Sequence, residues 1–348
     1  MAKQRIGWGI IGSGGIARRR TIPEGFAPAS NAELVAVYDV DATVNECVAR
    51  DAGARAAGSI GELLAMDLDA VYIATPVWLH CPQALQCFAA GKHVFCEKPL
   101  GITVAEAERM TAAAAEAGCR LGCAFMMRFH AQHQAALRMI QDGRIGKPVY
   151  ARAQLSCWYP PLQAAWRQDS EKGGGGSLID MGGHCIDLLE MFFGKVKKVS
   201  CFVGNSVQDY EPEDSAVAML AFENGAFATV DAFFCVPDRS SDNVLELYGS
   251  LGSILAKGTI GQAGTGTMVA RLEGQAGGYE ARQGRVSTGG IEITPDPVNP
   301  YLAEIEAFSQ ALLDGCEPPV GAQAGLRSQR VLAACYTSAR TGAVIEIV

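Results

Sequence analysis

The first third of the chain alternates short apolar runs with segments whose apolar residues recur at helical spacing. Because strands alternating with helices form right-handed βαβ units, this pattern predicts a parallel sheet. The predicted strands are Arg5–Ile11, Glu33–Tyr38, Ala70–Ala74, His93–Cys96 and Leu121–Ala124. After a helix that follows the first glycine-rich turn, the predicted helices are Ala42–Ala52, Pro82–Ala90 and Thr103–Ala117, the last beginning with a Thr103/Glu106 capping box.

The pattern changes near Met126, which predicts a boundary between a first domain of residues 1–125 and a second of residues 126–348. Extended runs then predominate, and Asn224-Gly225 between two of them predicts a hairpin. The extended runs are Lys147–Cys157, Val196–Gly204, Ser215–Phe222, Ala226–Cys235 and Asn243–Tyr248, and the helices are Gln132–Gln141 and the closing pair Asn299–Leu313 and Ala322–Thr341. This half therefore favours a mostly antiparallel sheet with helices on one face. We expect the closing helices to pack back on the first domain, and the glycine-rich residues 258–298 support no prediction.

The segment Gly173–Phe193 places a run of glycines in front of an apolar helical pattern. At the head of that pattern Asp180 and His184 stand four residues apart, a spacing that puts two side chains on one helix face. The glycines permit a ligand to approach the start of the helix closely. An acid–base pair over glycines suggests chemistry, although a helix cap and a buried structural histidine explain the same residues when taken alone.

Composition narrows the class of protein. Of the 348 residues, 49% are hydrophobic and 19% are charged, which is typical of a compact α/β protein. The formal charge of −8 argues against nucleic acid as a partner, because phosphate binding needs a basic face. No apolar segment approaches the roughly 20 residues that span a bilayer, and no leader pattern precedes the first strand. We therefore expect a cytoplasmic protein without membrane contact.

The twelve cysteines are scattered through apolar segments without a CxxC pair, which favours buried thiols in a reducing compartment. His130-x-x-His133 and His93-x-x-Cys96 lack further ligands nearby, so we expect no metal site. The only dense basic run, Arg18–Arg20, is interpreted as a solvated helix face, with contact to cofactor phosphates as the alternative.

A nucleotide-binding motif follows the first strand. Gly12-Ser13-Gly14-Gly15-Ile16-Ala17 fits GxGxxG/A between a predicted strand and a predicted helix, the context that makes this motif informative. Gly12 allows a tight turn, Gly14 lets the backbone approach a pyrophosphate, and the helix N-terminus stabilises its charge. Asp39 ends the second strand, where a carboxylate binds ribose hydroxyls and repels a 2′-phosphate. The sequence therefore favours NAD, and Arg18–Arg20 keep NADP as an alternative.

Two further strand ends carry polar residues on the ligand side of a parallel sheet. Thr75-Pro76 follows the third strand, with Trp78 and His80 close behind it. Trp78 is open to two interpretations, a wall of the nicotinamide pocket or ordinary packing. Glu97-Lys98-Pro99 follows the fourth strand, and a lysine held before proline at this place is unusual. We expect these residues to border the cofactor.

Together these motifs resemble the Gfo/Idh/MocA family, the group of glucose–fructose oxidoreductase and inositol dehydrogenase. The matching elements are Gly12–Ala17, ATPVWLH at Ala74–His80, EKPL at Glu97–Leu100, GGGGSLIDMGGHCIDLLEMFFG from Gly173, and the tail elements Ala311–Gly315 and Ser338–Gly342. The resemblance covers essentially the whole chain. It implies a Rossmann domain followed by an α/β domain with an open, largely antiparallel sheet. It also implies NAD(P)-dependent hydride transfer at a sugar or cyclitol carbon, and homodimers or homotetramers formed through the second sheet.

The resemblance also assigns site residues. It puts Lys98 beside the nicotinamide and the substrate hydroxyl, with Asp180 and His184 in the family's aspartate and histidine positions. Three more residues fall where the family lines its cofactor and substrate cleft: Arg128, Trp166 and Arg167. Relatives of glucose–fructose oxidoreductase carry tyrosine at the position of His184, so the histidine favours a freely exchanging dehydrogenase.

The residues and the resemblance agree on a reaction type. Oxidation of a secondary alcohol needs a hydride acceptor, which the cofactor supplies, and a base, for which the imidazole of His184 is suited. Lys98 would polarise the oxygen, and Asp180 would orient the ring or bind a hydroxyl. We predict an NAD-dependent dehydrogenase acting on a ring hydroxyl of a sugar, sugar derivative or cyclitol. The alternatives are an NADP-dependent keto-sugar reductase or dihydrodiol-type dehydrogenase and, from another class, a non-catalytic sensor that binds NAD(P) and a sugar.

Overall fold

The computed structural model describes residues 4–274, 281 and 289–347. The first third of the chain forms a six-stranded, all-parallel sheet in the order β3-β2-β1-β4-β5-β6, as the strand–helix alternation predicts. Its strands are β1 Ile6–Ile11, β2 Ala32–Tyr38, β3 Arg55–Ala56, β4 Ala70–Ile73, β5 His93–Cys96 and β6 Leu121–Cys123. The short edge strand β3 is the one that the apolar pattern missed.

Helices cover both faces of this sheet. The first is a π-helix, Ala17–Phe26, and it is followed by α1 Ala42–Ala52, α2 Ile60–Leu64, α3 His80–Ala89 and α4 Val104–Glu116, with a 3₁₀ turn at Val77–Leu79. The capping box at the start of α4 is formed, because the Thr103 side chain accepts from Glu106 N and the Glu106 carboxylate accepts from Thr103 N. Asp41 caps α1 by accepting hydrogen bonds from Thr43 N and Val44 N.

The second half is built on a nine-stranded sheet in the order β14-β13-β12-β11-β7-β10-β9-β8-β15. Among the described strands of this sheet only the β7–β10 pair is parallel, so the prediction of a mostly antiparallel sheet is confirmed. The strands are β7 Pro148–Ser156, β8 Val196–Gly204, β9 Ser215–Phe222, β10 Phe227–Phe233, β11 Val244–Gly249, β12 Gly252–Lys257, β13 Thr267–Leu272, β14 Ile291–Glu292 and β15 Ile345–Glu346. The predicted hairpin joins β9 and β10, with Gly225 at φ +90°.

The helices of this half are α5 Ala131–Gln141, α6 Ser170–Gly173, α7 Gly183–Phe193, α8 Pro300–Leu313 and α9 Ala322–Thr341. A π-helical turn at Leu178–Gly182 runs directly into α7, and 3₁₀ turns lie at Met126–Phe129, Trp166–Gln168 and Asp238–Ser240. Within the segment 258–298, which supported no prediction, β13 and β14 are described, and residues 275–280 and 282–288 lie outside the described residues.

The last long helices contact the first sheet. On α8, Ser309 Oγ accepts a hydrogen bond of 3.1 Å from the indole N–H of fully buried Trp8, and Phe308 packs against Phe95 with 5.1 Å between ring centroids. On α9, a Cβ at Gly325 would lie 3.1 Å from Cys123 on β6 and 2.5 Å from Leu100, which follows β5, so glycine suits this close approach. The domain boundary at residue 125 remains a prediction. Across the described ranges, no helix combines the length and apolar character that a bilayer span requires.

Candidate active site

A cavity of about 980 Å³ lies at the carboxyl ends of the parallel strands and is lined by residues from both halves of the chain. This is the edge of an open parallel sheet where ligands bind. It brings together most of the residues that the sequence selected: Gly12, Gly15, Ile16, Asp39, Thr75, Pro76, His80, Glu97, Lys98, Trp166, Arg167, Asp180 and His184. The glycine motif and the Asp180/His184 pair, which are far apart in the sequence, therefore line one cavity.

The glycine motif forms a tight cradle at one end of the cavity. Gly12 has φ +87°, and a Cβ there would lie 2.7 Å from the Thr75 backbone nitrogen. A Cβ at Gly14 would lie 2.9 Å from Val44, whereas one at Gly15 would meet no atom within 4 Å. Gly12 and Gly14 thus let the chain pack closely, and Gly15 leaves open space on the cavity side.

Asp39 is tied to this cradle by its carboxylate, which accepts hydrogen bonds from Gly14 N at 2.8 Å and from Asp41 N at 3.1 Å. A carboxylate has about four acceptor positions, so Asp39 keeps capacity for ribose hydroxyls. Of the basic run Arg18–Arg20, Arg19 alone lines the cavity, next to the Asp39 end. Both observations fit the adenosine half of a dinucleotide, with the carboxylate favouring NAD and Arg19 available to a 2′-phosphate.

The ends of β4 and β5 are joined through a buried histidine. His80 is 1% exposed, and its ring nitrogens lie 2.9 Å from the Pro99 carbonyl oxygen and 2.8 Å from the Thr75 carbonyl oxygen. Burial lowers the pKa of His80. His80 therefore connects the two loops that border the cavity. Trp78 lines the cavity and meets Trp166 edge-on at 6.0 Å, which favours the first of its two interpretations, a pocket wall.

Lys98 and Asp180 form the closest charged contact in the cavity, although they are 82 residues apart. The Lys98 Nζ donates to Asp180 Oδ1 at 2.8 Å and to the Asp180 backbone carbonyl at 2.7 Å. Arg167 also reaches Asp180 Oδ1, at 3.3 Å, and its guanidinium lies 4.2 Å over the Trp166 ring. Burial acts to raise the pKa of Asp180, but Lys98 and Arg167 overcome it and hold that pKa well below its usual range. Asp180 is therefore an anion at neutral pH.

His184 faces the same cavity without a hydrogen bond to Asp180 in the described part of the chain. Its Nδ1 is buried and has no partner there, which leaves Nε2 as the ring nitrogen available to the cavity. Burial, reinforced by the charge of Lys98, lowers the pKa of His184 well below its usual value. The imidazole is consequently neutral at pH 7 and able to accept a proton.

Two acidic side chains, the partly exposed Glu97 and the buried Glu304, influence each other near the end of β5. The hydroxyl of fully buried Tyr72 donates to Glu97 Oε1 at 2.5 Å and contacts Thr21 Oγ1 at 3.1 Å. Glu304 on α8 is 1% exposed, and neither carboxyl oxygen has a partner among the described residues. Burial and the charge of Glu97 raise the pKa of Glu304 well above its usual value, so this group is neutral. Sequence reasoning missed both residues, because Tyr72 looks like an ordinary core residue of a strand and Glu304 like an ordinary solvent-exposed residue of a helix.

Some predicted residues lie away from the cavity wall. Arg128 does not line the cavity, and its guanidinium makes hydrogen bonds of 2.6 and 2.7 Å with the Asp187 carboxylate on α7, so its role in cofactor binding stays a prediction. A buried carboxylate needs a cation beside it, and Asp187 is 2% exposed. Ser13 is fully buried beneath the glycine turn, and its hydroxyl has no described partner.

The His–His and His–Cys pairs considered as metal ligands contain histidines whose ring nitrogens have protein partners. The ring nitrogens of His133 contact the Met127 carbonyl oxygen and Thr259 Oγ1, and His93 Nδ1 accepts from Arg120 N. Within the described ranges, no group of three or more His, Cys, Asp or Glu residues is placed to hold a metal ion.

The cavity wall also contains residues that sequence reasoning did not select. Ser156 and Cys157 come from the end of β7, Asp238 and Asn243 from the loop after β10, and Tyr301 from the start of α8. No local motif marks them, since the first four reach the cavity through the pairing of the second sheet and Tyr301 through the packing of α8 on the first domain. Gln262, in the segment that supported no prediction, also lines the cavity.

The residues present fit a nicotinamide dinucleotide. The open space at Gly15 and the carboxylate of Asp39 suit the pyrophosphate and ribose, and Lys98, Glu97 and His184 occupy the far end of the same cavity. The volume of about 980 Å³ is at the upper end of the range of ligand sites and suits a cofactor together with a small substrate.

Two family descriptions match the chain. Residues 6–125 match an oxidoreductase family with an NAD-binding Rossmann fold, and residues 133–255 match the GFO/IDH/MocA C-terminal domain. The 1,5-anhydro-D-fructose reductase of Ensifer adhaerens is 31% identical over 346 residues, which is 98% of each chain. The D-xylose 1-dehydrogenase (NADP(+)) 2 of Haloferax volcanii is 31% identical over 98% of this chain and 99% of its own length.

A solved structure agrees with these relatives. The aldose-aldose oxidoreductase of Caulobacter crescentus, complexed with glycerol, superposes with a TM-score of 0.87 at 27% identity, covering 98% of this chain and 99% of the other. Sequence, fold and the convergence of the nucleotide motif with Lys98, Asp180 and His184 lead to one conclusion. The chain belongs to the Gfo/Idh/MocA family of NAD(P)-dependent oxidoreductases.

Proposed function

We propose that this protein transfers a hydride between a nicotinamide cofactor, preferably NAD, and a ring carbon of a sugar, sugar derivative or cyclitol. The observation that carries the proposal is the convergence of Lys98, Asp180 and His184 at the end of the cavity opposite the glycine cradle. The names of the curated relatives, a sugar reductase and a sugar dehydrogenase, support the substrate class.

Each of the three side chains has a task in the proposed reaction. Bound nicotinamide supplies or accepts the hydride. The Lys98 ammonium, held by Asp180, donates a hydrogen bond to the reacting oxygen and stabilises negative charge there. Neutral His184 takes the hydroxyl proton on Nε2 during oxidation and returns it during reduction. Asp180 remains ionised, so it orients Lys98 and accepts a hydrogen bond from a neighbouring substrate hydroxyl.

Both directions of the reaction use the same site. One curated relative is named a reductase and the other an NADP-dependent dehydrogenase. We infer that Asp39 favours NAD in this chain, while Arg19 on the cavity wall gives NADP a secondary binding mode. Comparing kcat/KM for the two cofactors, with the same sugar, measures that preference.

The test of the function combines a screen with a variant. Sugars, polyols and cyclitols are incubated with NAD or NADP, and reduced cofactor is read by absorbance. His184→Ala should bind NAD as the parent protein does but turn over at least 10²-fold more slowly, as expected for loss of a general base. A protein that binds both ligands yet turns over no member of the panel in either direction would support the rival function, a non-catalytic sensor.

We propose that the protein forms homodimers or homotetramers through the outer face of the second sheet. Four large apolar side chains are exposed on neighbouring strands there, with exposed fractions of 38–78%: Phe202, Val217, Met219 and Phe227. A contiguous apolar patch of this kind is typical of an interface. Sedimentation of the parent protein and of Phe202→Glu/Met219→Glu tests this, and an unchanged sedimentation coefficient would contradict it.

We also propose a cytoplasmic, reducing location. All twelve cysteines are free thiols, and eight of them are buried in the packed interior. Thiols in this state persist where glutathione keeps them reduced. Fractionation of the native host, with the protein detected by antibody, distinguishes this location from an exported one.

A further inference from the structure

The substrate end of the cavity carries polar side chains that the proposed reaction does not use. As β7 ends, Ser156 N donates to Asn243 Oδ1 at 2.9 Å and Trp158 N donates to Asp238 Oδ1 at 3.2 Å. The amide between them, Cys157 N, bonds to the Phe233 carbonyl at 2.9 Å. The strand end therefore fixes Asn243 and Asp238 side by side, and both line the cavity that contains Asp180 and His184.

Each of these two side chains has one polar group that makes no hydrogen bond to a described residue. Asn243 Oδ1 also accepts a hydrogen bond of 2.9 Å from Ser241 Oγ, so its oxygen is fully used and its NH₂ group is free within the described part of the chain. Asp238 Oδ2 likewise makes no hydrogen bond or ion pair to any described residue. The pair offers one amide donor and one carboxylate acceptor to the cavity. A sugar hydroxyl can accept from the first while a neighbouring hydroxyl donates to the second.

The charges of the cavity wall add a second constraint. Lys98 and Arg167 are both paired with the carboxylate of Asp180, at 2.8 and 3.3 Å, and both also act on the nearby carboxylate of Glu97. The two cations of this end therefore already have two acidic partners. Burial, followed by the charges of Asp180 and Asp238, raises the pKa of Cys157 to about 12. Asp238 makes no ion pair with a described residue, so it adds negative charge to the cavity wall.

We propose that Asp238 and Asn243 form a subsite that binds the distal hydroxyls of a neutral polyhydroxylated substrate and excludes carboxylate- or phosphate-bearing analogues. The inference rests on the proposed function, because it assigns the other end of the same substrate. A carboxylate brought against Asp238 meets like charge, and because Asp238 is exposed, solvent and salt screen part of that repulsion, so we expect a binding ratio of about tenfold that shrinks at high salt. An analogue that lacks the hydroxyl leaves Asp238 and Asn243 unpaired, and sites of this kind discriminate strongly.

Matched pairs of ligands test the subsite directly. Glucose and glucuronate, and galactose and galacturonate, differ only by a hydroxymethyl group against a carboxylate. Their dissociation constants are measured by calorimetry on the protein saturated with NAD, and kcat/KM is measured in parallel. The parent protein should bind the neutral member of at least one pair 10-fold or more tightly than the anionic member. Asp238→Asn keeps the oxygen that accepts from Trp158 N, and it should cut that ratio at least fivefold.

The chain offers a matched control. Asp242 lies four residues after Asp238 but is ion-paired with Lys257 at 2.8 Å and does not line the cavity. Asp242→Asn removes the same charge from the same loop and should leave the binding ratio unchanged. Asn243→Asp, which turns the donor into a second acceptor, should weaken binding of the neutral sugar.

The outcomes separate this inference from the proposed function. If neutral sugars bind in a way that depends on Asp238 but are not turned over, the subsite is supported and the proposed hydride transfer is refuted. Equal or tighter binding of the uronates by the parent protein, no binding of either member of any pair, or a ratio that Asp238→Asn leaves unchanged would each overturn the subsite.

Discussion

The two ends of the cavity are built in different ways. The cofactor end is made mostly by backbone within one stretch, Gly12–Ile16, and its one side-chain anchor, Asp39, lies 25 residues from Gly14. The substrate end is made by side chains that are distant in the chain, since Lys98 and Asp180 are 82 residues apart and Ser156 and Asn243 are 87 apart. A site made of backbone recognises a shared group such as a pyrophosphate, whereas a site made of side chains can change its substrate by single substitutions.

This difference has a consequence for mutation. Substitutions at the substrate end should alter turnover and leave the dinucleotide bound, and substitutions at the cofactor end should alter the choice of cofactor. Residues that hold the two ends together should alter stability alone. The following experiments, in order of expected effect, test that separation.

Lys98→Met should give the largest effect, because it removes the group that stabilises charge on the reacting oxygen and leaves Asp180 with Arg167 alone. We expect kcat to fall by about 10³-fold or more and the dissociation constant for NAD to change less than tenfold. Lys92→Met is the matched control, since Lys92 bonds to the Leu68 carbonyl at the opposite end of β5, outside the cavity. Stopped-flow turnover and fluorescence titration measure both quantities, and a near-normal kcat would remove Lys98 from the chemistry.

Arg128→Gln should change stability and not catalysis. The variant leaves the Asp187 carboxylate, 2% exposed, without its cation, which costs about 3–5 kcal/mol of unfolding free energy. Denaturant unfolding measures the loss, and kcat/KM per folded molecule should stay within twofold. A large loss of cofactor affinity at full stability would instead return Arg128 to the cleft, where the family resemblance had put it.

Asp39→Asn should change the choice of cofactor. The asparagine oxygen still accepts from Gly14 N, but the charge that repels a 2′-phosphate is gone. We expect the ratio of kcat/KM for NAD over NADP to fall by about 10-fold, or roughly 1.4 kcal/mol. Asp41→Asn, which keeps an N-cap residue on α1, serves as the control and should leave the ratio unchanged. Equal ratios in Asp39→Asn and the parent protein would contradict the role of Asp39.

The smallest expected effect is on pH dependence. Burial and the charge of Lys98 lower the pKa of His184 well below its usual value. The imidazole therefore stays neutral while the pH falls from 8 to 6. The ratio of kcat/KM for oxidation between the parent protein and His184→Gln should therefore change by less than about twofold over this interval. An inflection near pH 6.5 that disappears in His184→Gln would show that His184 titrates at its ordinary pKa.

Local sequence patterns predicted the strand–turn–helix unit at the cofactor end and two features elsewhere in the fold. The glycine spacing, the strands that flank it, the capping box at Thr103 and the Asn224-Gly225 hairpin all depend on residues within a few positions of each other. The position of Asp180 and His184 at a helix start was predicted as well, although the turn at Leu178–Gly182 is π-helical and no hydrogen bond between the two is described. Spacing indicated that they share a face, which is all that spacing can indicate.

Asp238, Asn243, Tyr301 and Glu304 carry no such pattern, because their place depends on strand pairing and helix packing far along the chain. Arg128 illustrates the same limit. The family resemblance put it in the cofactor and substrate cleft, whereas in the structure its guanidinium forms an ion pair with the buried carboxylate of Asp187. Which ion pair forms is decided by which charges are desolvated together, and that is known only once the helices are packed.

The sequence by itself determined the parallel sheet and the glycine turn that follows its first strand, because backbone conformation and strand–helix periodicity are local properties. The tertiary structure decided that Lys98 meets Asp180, that the imidazole of His184 is neutral, and that Asp238 and Asn243 line the same cavity. These outcomes depend on burial and on charges brought together from distant segments, and no stretch of sequence contains that information.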